Sequence, residues 1–224
     1  MKFTWIGQAG LLVEHDGKKI MIDPYLSDGV KKVNPKNYRR IPVNEALFDV
    51  KLDMIIITHD HLDHLDPETM EILLKKNENL VVLAPYNAWQ KARVYGGDHN
   101  YVMFDRHTQW TEFGLTFKAV KACHSDLTAV GVIIDDGSKK YYIAGDTLYN
   151  DEILADLPDD IDTAFLPVNG VGNNMNMTDA AILAEKIGCK HTVPVHIGMF
   201  DELTADAFDC PTKVVPTQYE EIKL

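Results

Sequence analysis

The segment Thr58-His59-Asp60-His61-Leu62-Asp63-His64 constrains this chain more than any other stretch, because it packs three imidazoles and two carboxylates into seven residues. Residues 54–57, all apolar and rich in isoleucine, precede it and read as a buried strand. Asp66, Pro67 and Glu68 follow it in the pattern that caps and opens a helix. A loop anchored between a buried strand and a capped helix is held at both ends. Side chains alternate in extended backbone, so His59 and His61 face the same way. Where the chain turns into the helix, Asp63 and His64 project together toward a neighbouring point. One loop can therefore offer two imidazoles to one cation, and a carboxylate with an imidazole to a second.

A metal site needs further ligands, and four strand-end residues can supply them: Asp23 in MIDPY, His124 in KACHSD, Asp146 in IAGDT and His196 in VPVHIGMF. Each follows an apolar run and precedes turn-forming residues, which places it where a strand opens onto a cleft. Strands are expected at residues 2–6, 10–15, 18–22, 54–57, 80–84, 110–121, 129–135, 139–144, 161–168 and 191–195. Helices are expected from Pro67, over 86–95, over 178–187 with Gly188 as the stop, and over 202–209. Residues 24–51 read as a long irregular loop carrying Lys36, Arg39 and Arg40. Meanders in each half with interspersed helices suggest two packed sheets with helices outside.

In this order Asp23, the segment from His59 to His64, His124, Asp146 and His196 resemble the five motifs of the metallo-β-lactamase superfamily, over most of the chain. The resemblance implies an α/β (α+β) fold, a four-layer αββα sandwich, as a single domain over residues 1–224. It implies that His59, His61 and His124 hold one ion, that Asp63, His64 and His196 hold a second, and that Asp146 bridges both. Asp23 is then the carboxylate that orients a ligand histidine. Imidazoles and carboxylates without cysteine suit two divalent transition-metal ions, Zn2+ or Mn2+, with iron also admissible. Ions about 3.5–4 Å apart would share a bridging hydroxide for attack on a carbonyl or phosphoryl centre, with Asp63 or Asp146 managing the proton.

A second set of residues narrows the resemblance: Leu166-Pro167-Val168-Asn169-Gly170, Asn174-Met175-Asn176-Met177-Thr178, Val193-Pro194-Val195-His196 and Met199-Phe200. These are similar to the L-ascorbate-6-phosphate lactonase branch and its neighbouring metal-dependent hydrolases. The implied activity is lactonase-like hydrolysis of a small sugar-derived substrate, with or without a phosphate. Asn169 would line the substrate pocket, and Arg39 or Arg40 could meet a phosphate through bidentate contacts. The alternatives are a phosphodiesterase of the same fold and a non-catalytic metal-binding protein.

Composition trims the options. The charge is 22 − 34 = −12, with no lysine- or arginine-rich block, so the mean field repels a nucleic-acid backbone. No stretch has the apolar length of a membrane span, and the opening residues read as strands instead of a leader. Three cysteines without metal-type spacing fit reduced thiols, and the cytoplasm is the expected compartment. Cys123 is expected to face away from the metals into the core. The expected partner is a small molecule, neither nucleic acid nor membrane, and a homo-oligomer is compatible with everything above.

Overall fold

The computed structural model describes residues 1–224. It opens as an antiparallel meander of β1 (Lys2–Gly7), β2 (Gly10–His15) and β3 (Lys18–Ile22). A short helix, α1 (Gly29–Val33), and a 3-10 turn over Glu45–Asp49 lie within the stretch expected to be irregular. Next come β4 (Met54–Ile56), α2 (Pro67–Lys76), β5 (Val81–Ala84), α3 (Tyr86–Ala92) and β6 (Asn100–Met103). The strands among them extend the first sheet in parallel, giving the order β1-β2-β3-β4-β5-β6.

The second sheet begins with an antiparallel meander: β7 (Gln109–Glu112), β8 (Leu115–Lys121), β9 (Val130–Asp135) and β10 (Lys140–Ile143). After α4 (Asp151–Asp156), β11 (Ile161–Pro167) joins β10 in parallel, and after α5 (Met177–Ile187), β12 (His191–Val195) joins β11. Its order is β12-β11-β10-β9-β8-β7.

Alternation along the parallel strands explains why their sequences are apolar throughout. Ile20, Ile22, Met54, Ile56, Val81 and Leu83 face the second sheet, in a cluster shared with Phe117, Phe165 and Val193. Their neighbours Met21, Ile55, Ile57, Val82 and Ala84 face the other way, onto Met70, Leu73 and Leu74 of α2 and Ala88 and Ala92 of α3. A strand covered on both faces shows no polar alternation, so a continuous apolar run is its signature. α2 starts as its residues dictate, with the Asp66 side chain accepting from Thr69 N and Pro67 in the first turn. α5 stops at Gly188, in left-handed backbone, and packs on β11. The architecture is the expected αββα sandwich. No helix is long and apolar enough to cross a membrane.

Four expectations need correction. The single strand over 110–121 is a hairpin, because Phe113 and Gly114 take φ of 56° and 74° and turn β7 back onto β8. Two successive positive φ values make the tight turn that suits strand twist, and phenylalanine in the first position hides it from a reading based on asparagine or aspartate. β6 lies outside the expected strands because its residues form a half-exposed edge without an apolar run. α4 is likewise unforeseen, being only six residues long. The helix expected over 202–209 shrinks to one 3-10 turn at Ala205–Ala207.

α4 is tied by an ion pair to the loop before β7 and by a hydrogen bond to the end of β8. Arg106 donates from Nε to Asp156 Oδ2 at 2.6 Å and from a terminal nitrogen to Oδ1 at 2.9 Å, while Lys121 N adds a bond of 2.8 Å to Oδ2. The hydrogen bond from Arg106 comes first among the influences that lower the Asp156 carboxyl below its ordinary value. A depressed carboxylate contributes stability above its unfolded pKa, near about 3.9, and loses it as pH falls through the folded value. Urea unfolding below about pH 4 should therefore show a steeper loss of stability in the wild type than in Asp156→Asn, and parallel curves would disprove the assignment.

Candidate metal centre

The site is built at one edge of the sandwich, where strands from both sheets end. Asp23 follows β3, His59 follows β4, and Asp146 and His196 follow β10 and β12. His124 lies three residues beyond the end of β8. The turns that deliver these side chains are strained. Gln8, Asp23 and His196 have φ of 52°, 45° and 62° without being glycine. Such backbone costs about 1–3 kcal/mol per residue and persists only where surrounding structure enforces it. Gly145 permits a close crossing here, since a Cβ at this position would lie 2.9 Å from the Thr58 side chain.

Asp23 organises the loop of histidines. Its Oδ1 accepts from Thr58 N at 2.8 Å and its Oδ2 from Thr58 Oγ1 at 2.6 Å, while His64 Nδ1 lies 2.8 Å from Oδ2. A carboxylate can only accept, so His64 carries its proton on Nδ1 and turns Nε2 toward the centre. Thr58 Oγ1, having given its proton to Asp23, accepts from His59 Nδ1 at 3.1 Å. His124 Nδ1 faces the carbonyl of Asn173 at 3.2 Å and must donate to it. In their neutral form these three imidazoles carry the proton on Nδ1 and leave Nε2 with its lone pair.

These nitrogens converge. Ligand atoms of His59, His61, His124 and Asp146 lie within 4.8 Å of one another, and those of Asp63, His64 and His196 form a second such group. His61 presents Nδ1, 3.1 Å from His124 Nε2. Asp146 touches both groups: its Oδ1 is 3.1 Å from His64 Nε2, and its Oδ2 is 3.3 Å from His196 Nε2 and 3.9 Å from His124 Nε2. Asp60, the remaining acid of the loop, instead pairs with Lys91 at 2.6 Å.

Electrostatics and hydrogen bonding both favour cations at this point. Burial, with His64 adding to it, keeps His59 neutral well below the ordinary histidine range, and burial likewise lowers His124. At His64 and His196 burial works in the same direction but loses. The carboxylates of Asp146, Asp23 and Asp63 raise His64 well above the ordinary range, and Asp146 and Asp63 raise His196 to about 10. Positive charge is favoured beside these carboxylates, and without metal it is recruited as protons. His59 Nε2, His64 Nε2 and Asp146 Oδ1 are buried without hydrogen-bond partners, although the last two are only 3.1 Å apart. An unsatisfied buried polar atom costs about 1–3 kcal/mol. Divalent cations fit the donor set and would satisfy all three atoms.

A cleft of about 540 Å³ opens over the centre, lined by His61, Asp63, Asp146 and His196 together with Asn37, Asn169 and Asn173. A larger hollow of about 680 Å³ beside α5 has no comparable ligand group, so volume alone does not locate the chemistry. Asn169 is in the cleft wall, but Arg39 and Arg40 are not. Arg39 braces the loop instead, donating to the carbonyls of Tyr25 and Ile41 and to Tyr219 Oη, and the Arg40 guanidinium stacks over Tyr38. Cys123 is half-buried and its Sγ accepts from Asn150 Nδ2, because β8 ends at Lys121 before reaching it.

Sequence reasoning missed three contributors: Gln8, Thr58 as the link between Asp23 and His59, and Asn174, whose Nδ2 donates to Asp146 Oδ2 at 2.9 Å. A threonine beside a histidine motif and an amide in a turn are common polar residues, and only their partners single them out.

Comparison with known proteins shows the family and the fold. The family profile described as a beta-lactamase superfamily domain matches residues 18–197. The chain is 34% identical over 223 residues to a UPF0173 metal-dependent hydrolase of Geobacillus thermodenitrificans, spanning 92% of this chain and 89% of that one. It is 31% identical over 230 residues to a UPF0173 metal-dependent hydrolase of Bacillus thuringiensis, spanning 96% and 93%. Among solved structures, the metallo hydrolase Igni18 of Ignicoccus hospitalis superposes with a TM-score of 0.78 at 22% identity, covering 99% of this chain and 97% of that chain. An isothiocyanate hydrolase from Delia radicum gut bacteria gives 0.77 at 21% identity, covering 100% and 99%. With its αββα fold, its histidine–aspartate cluster and these matches, the chain belongs to the beta-lactamase superfamily, in its UPF0173 family of metal-dependent hydrolases.

Proposed function

We propose that this hydrolase is dinuclear and lactonase-like, opening an ester or lactone bond in a small sugar-derived substrate. The observation that carries the reading is the convergence of the two ligand groups on Asp146 with buried acceptors left unsatisfied. His59, His61 and His124 would hold one ion, Asp63, His64 and His196 the other, and Asp146 would serve both. Zinc and manganese suit this ligand set best, with iron also admissible. When bound, such ions supply Lewis acidity, bringing the pKa of water from about 15.7 toward about 7 and offsetting charge that develops on the substrate.

The residues divide the remaining work. Asp146 is enclosed and its Oδ2 already accepts from Asn174, which suits it to binding and not to proton exchange. Asp63 keeps 18% of its side chain exposed and lines the cleft, so its carboxylate is placed to take a proton from incoming water and pass it to the leaving oxygen. Asp23 holds His64, and Thr58 holds His59, so neither ring must reorient during turnover.

The cleft also speaks to the substrate. Its size suits a small molecule. Its lining includes several carboxamides but neither lysine nor arginine. Asparagine side chains match sugar hydroxyls, which both donate and accept. A phosphate at the far end would find no cationic partner there, so the uncharged form of the substrate is favoured over the phosphorylated one.

Metal analysis should find close to two divalent ions per chain after reconstitution. Saturation at 100 times Kd should add about 2.7 kcal/mol to stability, read as a raised unfolding midpoint that a chelator reverses. A protein that binds no ion, or gains no stability from it, would refute the dinuclear reading.

Turnover is to be screened with the metal-loaded protein on lactones, sugar phosphates and phosphodiesters. Lactone opening is expected, and it should fall at least about 1,000-fold in His61→Ala and in Asp146→Asn, as loss of several kcal/mol of transition-state stabilisation requires. Circular dichroism is expected to be unchanged. Phosphodiester cleavage without lactone opening would replace this reading with its alternative.

A further inference from the structure

Gln8 stands in the turn between β1 and β2, far in sequence from every expected metal ligand, and is 2% exposed. Its Nε2 donates to Asp63 Oδ2 at 2.7 Å and lies 3.1 Å from His196 Nε2. Its backbone carbonyl accepts from His196 N at 2.9 Å and from Trp5 Nε1 at 2.8 Å. One residue thus touches the side chains of two members of the second ligand group and the backbone of one. It reaches them through a left-handed backbone, φ 52°, that a glutamine adopts only where its surroundings enforce it.

The chemistry of the side chain matters as much as its position. A neutral N–H donor orients a carboxylate without neutralising it, and leaves that carboxylate's other lone pairs free for a cation. A lysine or arginine in the same place would supply the positive charge itself and compete with the ion. A glutamate would repel Asp63. An apolar side chain would leave the carboxylate free to turn. Asp23 does the equivalent work for His64, and the Asn173 carbonyl does it for His124. Asp63 has no such holder other than Gln8. The Gln8 amide faces His196 Nε2, the nitrogen an ion would take, so Gln8 holds His196 through the backbone, its carbonyl accepting from the His196 N–H.

We propose that Gln8 is a positioning residue for the second half of the centre, its amide holding the Asp63 carboxylate, beside the His196 backbone that its carbonyl anchors, in the orientation that binds the second ion. The inference rests on the reading of this cluster as a two-ion site. Gln8 makes the two halves unequal: the His59, His61 and His124 group lies outside its reach, so its loss should act on one ion and not the other.

The test is titration of the full-length apoprotein with Zn2+ by calorimetry and with Co2+ by visible absorption, for wild type, Gln8→Met, Gln8→Glu and Gln8→His. Methionine keeps the length and removes the donor, and histidine restores a neutral N–H. In Gln8→Met and Gln8→Glu one of the two binding steps should lose about 10–100-fold in affinity, the usual effect of removing a ligand's hydrogen-bond partner, while the other stays as in wild type. The part of the cobalt spectrum that belongs to the weakened step should then require excess metal. Gln8→His should recover most of the affinity, which a residue that merely filled space would not predict. Two wild-type binding steps in Gln8→Met, or equal weakening of both steps in every variant, would overturn the proposal. Wild-type protein that takes up only one ion, or none, would remove the two-ion reading itself, a result distinguishable because no variant is needed to see it.

Discussion

The centre depends on a carboxylate that is not in either ligand group. Asp23 is fully buried and spans the ends of β3 and β4, accepting from Thr58 N, Thr58 Oγ1 and His64 Nδ1. Burying a charge is expensive unless every lone pair is engaged, and here three donors engage it. Through those donors Asp23 sets the tautomer of His64 directly and that of His59 by way of Thr58. The parallel register of β3 with β4 brings the two strand ends level, so that the contact can form at all. Sheet pairing, a buried hydrogen-bond network and the direction of two imidazole lone pairs are therefore one linked device.

The same economy appears in the backbone. Three of the nine left-handed residues other than glycine, Gln8, Asp23 and His196, lie at the centre, each where a strand gives way to a turn. A side chain leaving a strand by a gentle bend would stay on the face of a sheet. A sharp turn throws it over the edge, where residues from both sheets can meet. The sandwich supplies the rigidity that makes such turns tolerable, because the strands behind them are buried on both faces. Strain at the edge is balanced by packing in the interior.

The cleft inherits its character from the loops that happen to close over that edge. The segment around Asn169, Asn173 and Asn174 brings amides, and the long loop after β3 brings Asn37 while turning Arg39 inward against Tyr25 and Tyr219. Of a basic pair that reads in sequence as a phosphate hook, Arg39 is, in the folded chain, a brace for the loop itself, and Arg40 lies over Tyr38. Local composition gave it a charge, but carbonyl oxygens elsewhere in the chain captured that charge.

Much of this protein was legible before folding, for identifiable reasons. Apolar runs marked the buried strands because covering on both faces leaves no room for polar residues, and Asp66, Pro67 and Gly188 marked helix ends because capping is a local requirement. The spacing from His59 to His64 revealed a metal-type loop because its geometry is settled within a few residues. The hairpin at Phe113–Gly114 and the edge strand β6 escaped, since an aromatic turn residue and a half-exposed strand carry no local signature. The roles of Gln8, Thr58 and Asn174 escaped for a different reason. A hydrogen bond between residues 55 positions apart, as between Gln8 and Asp63, depends on where two strands end in space, and no pattern along the chain encodes that distance. Sequence alone marked most of the elements and the histidine-rich loop, because these follow from near neighbours, while His124, Asp146 and His196 were marked as ligands only through the family resemblance. The tertiary structure decided which atoms of those residues face one another, because convergence is a property of the packed sheets.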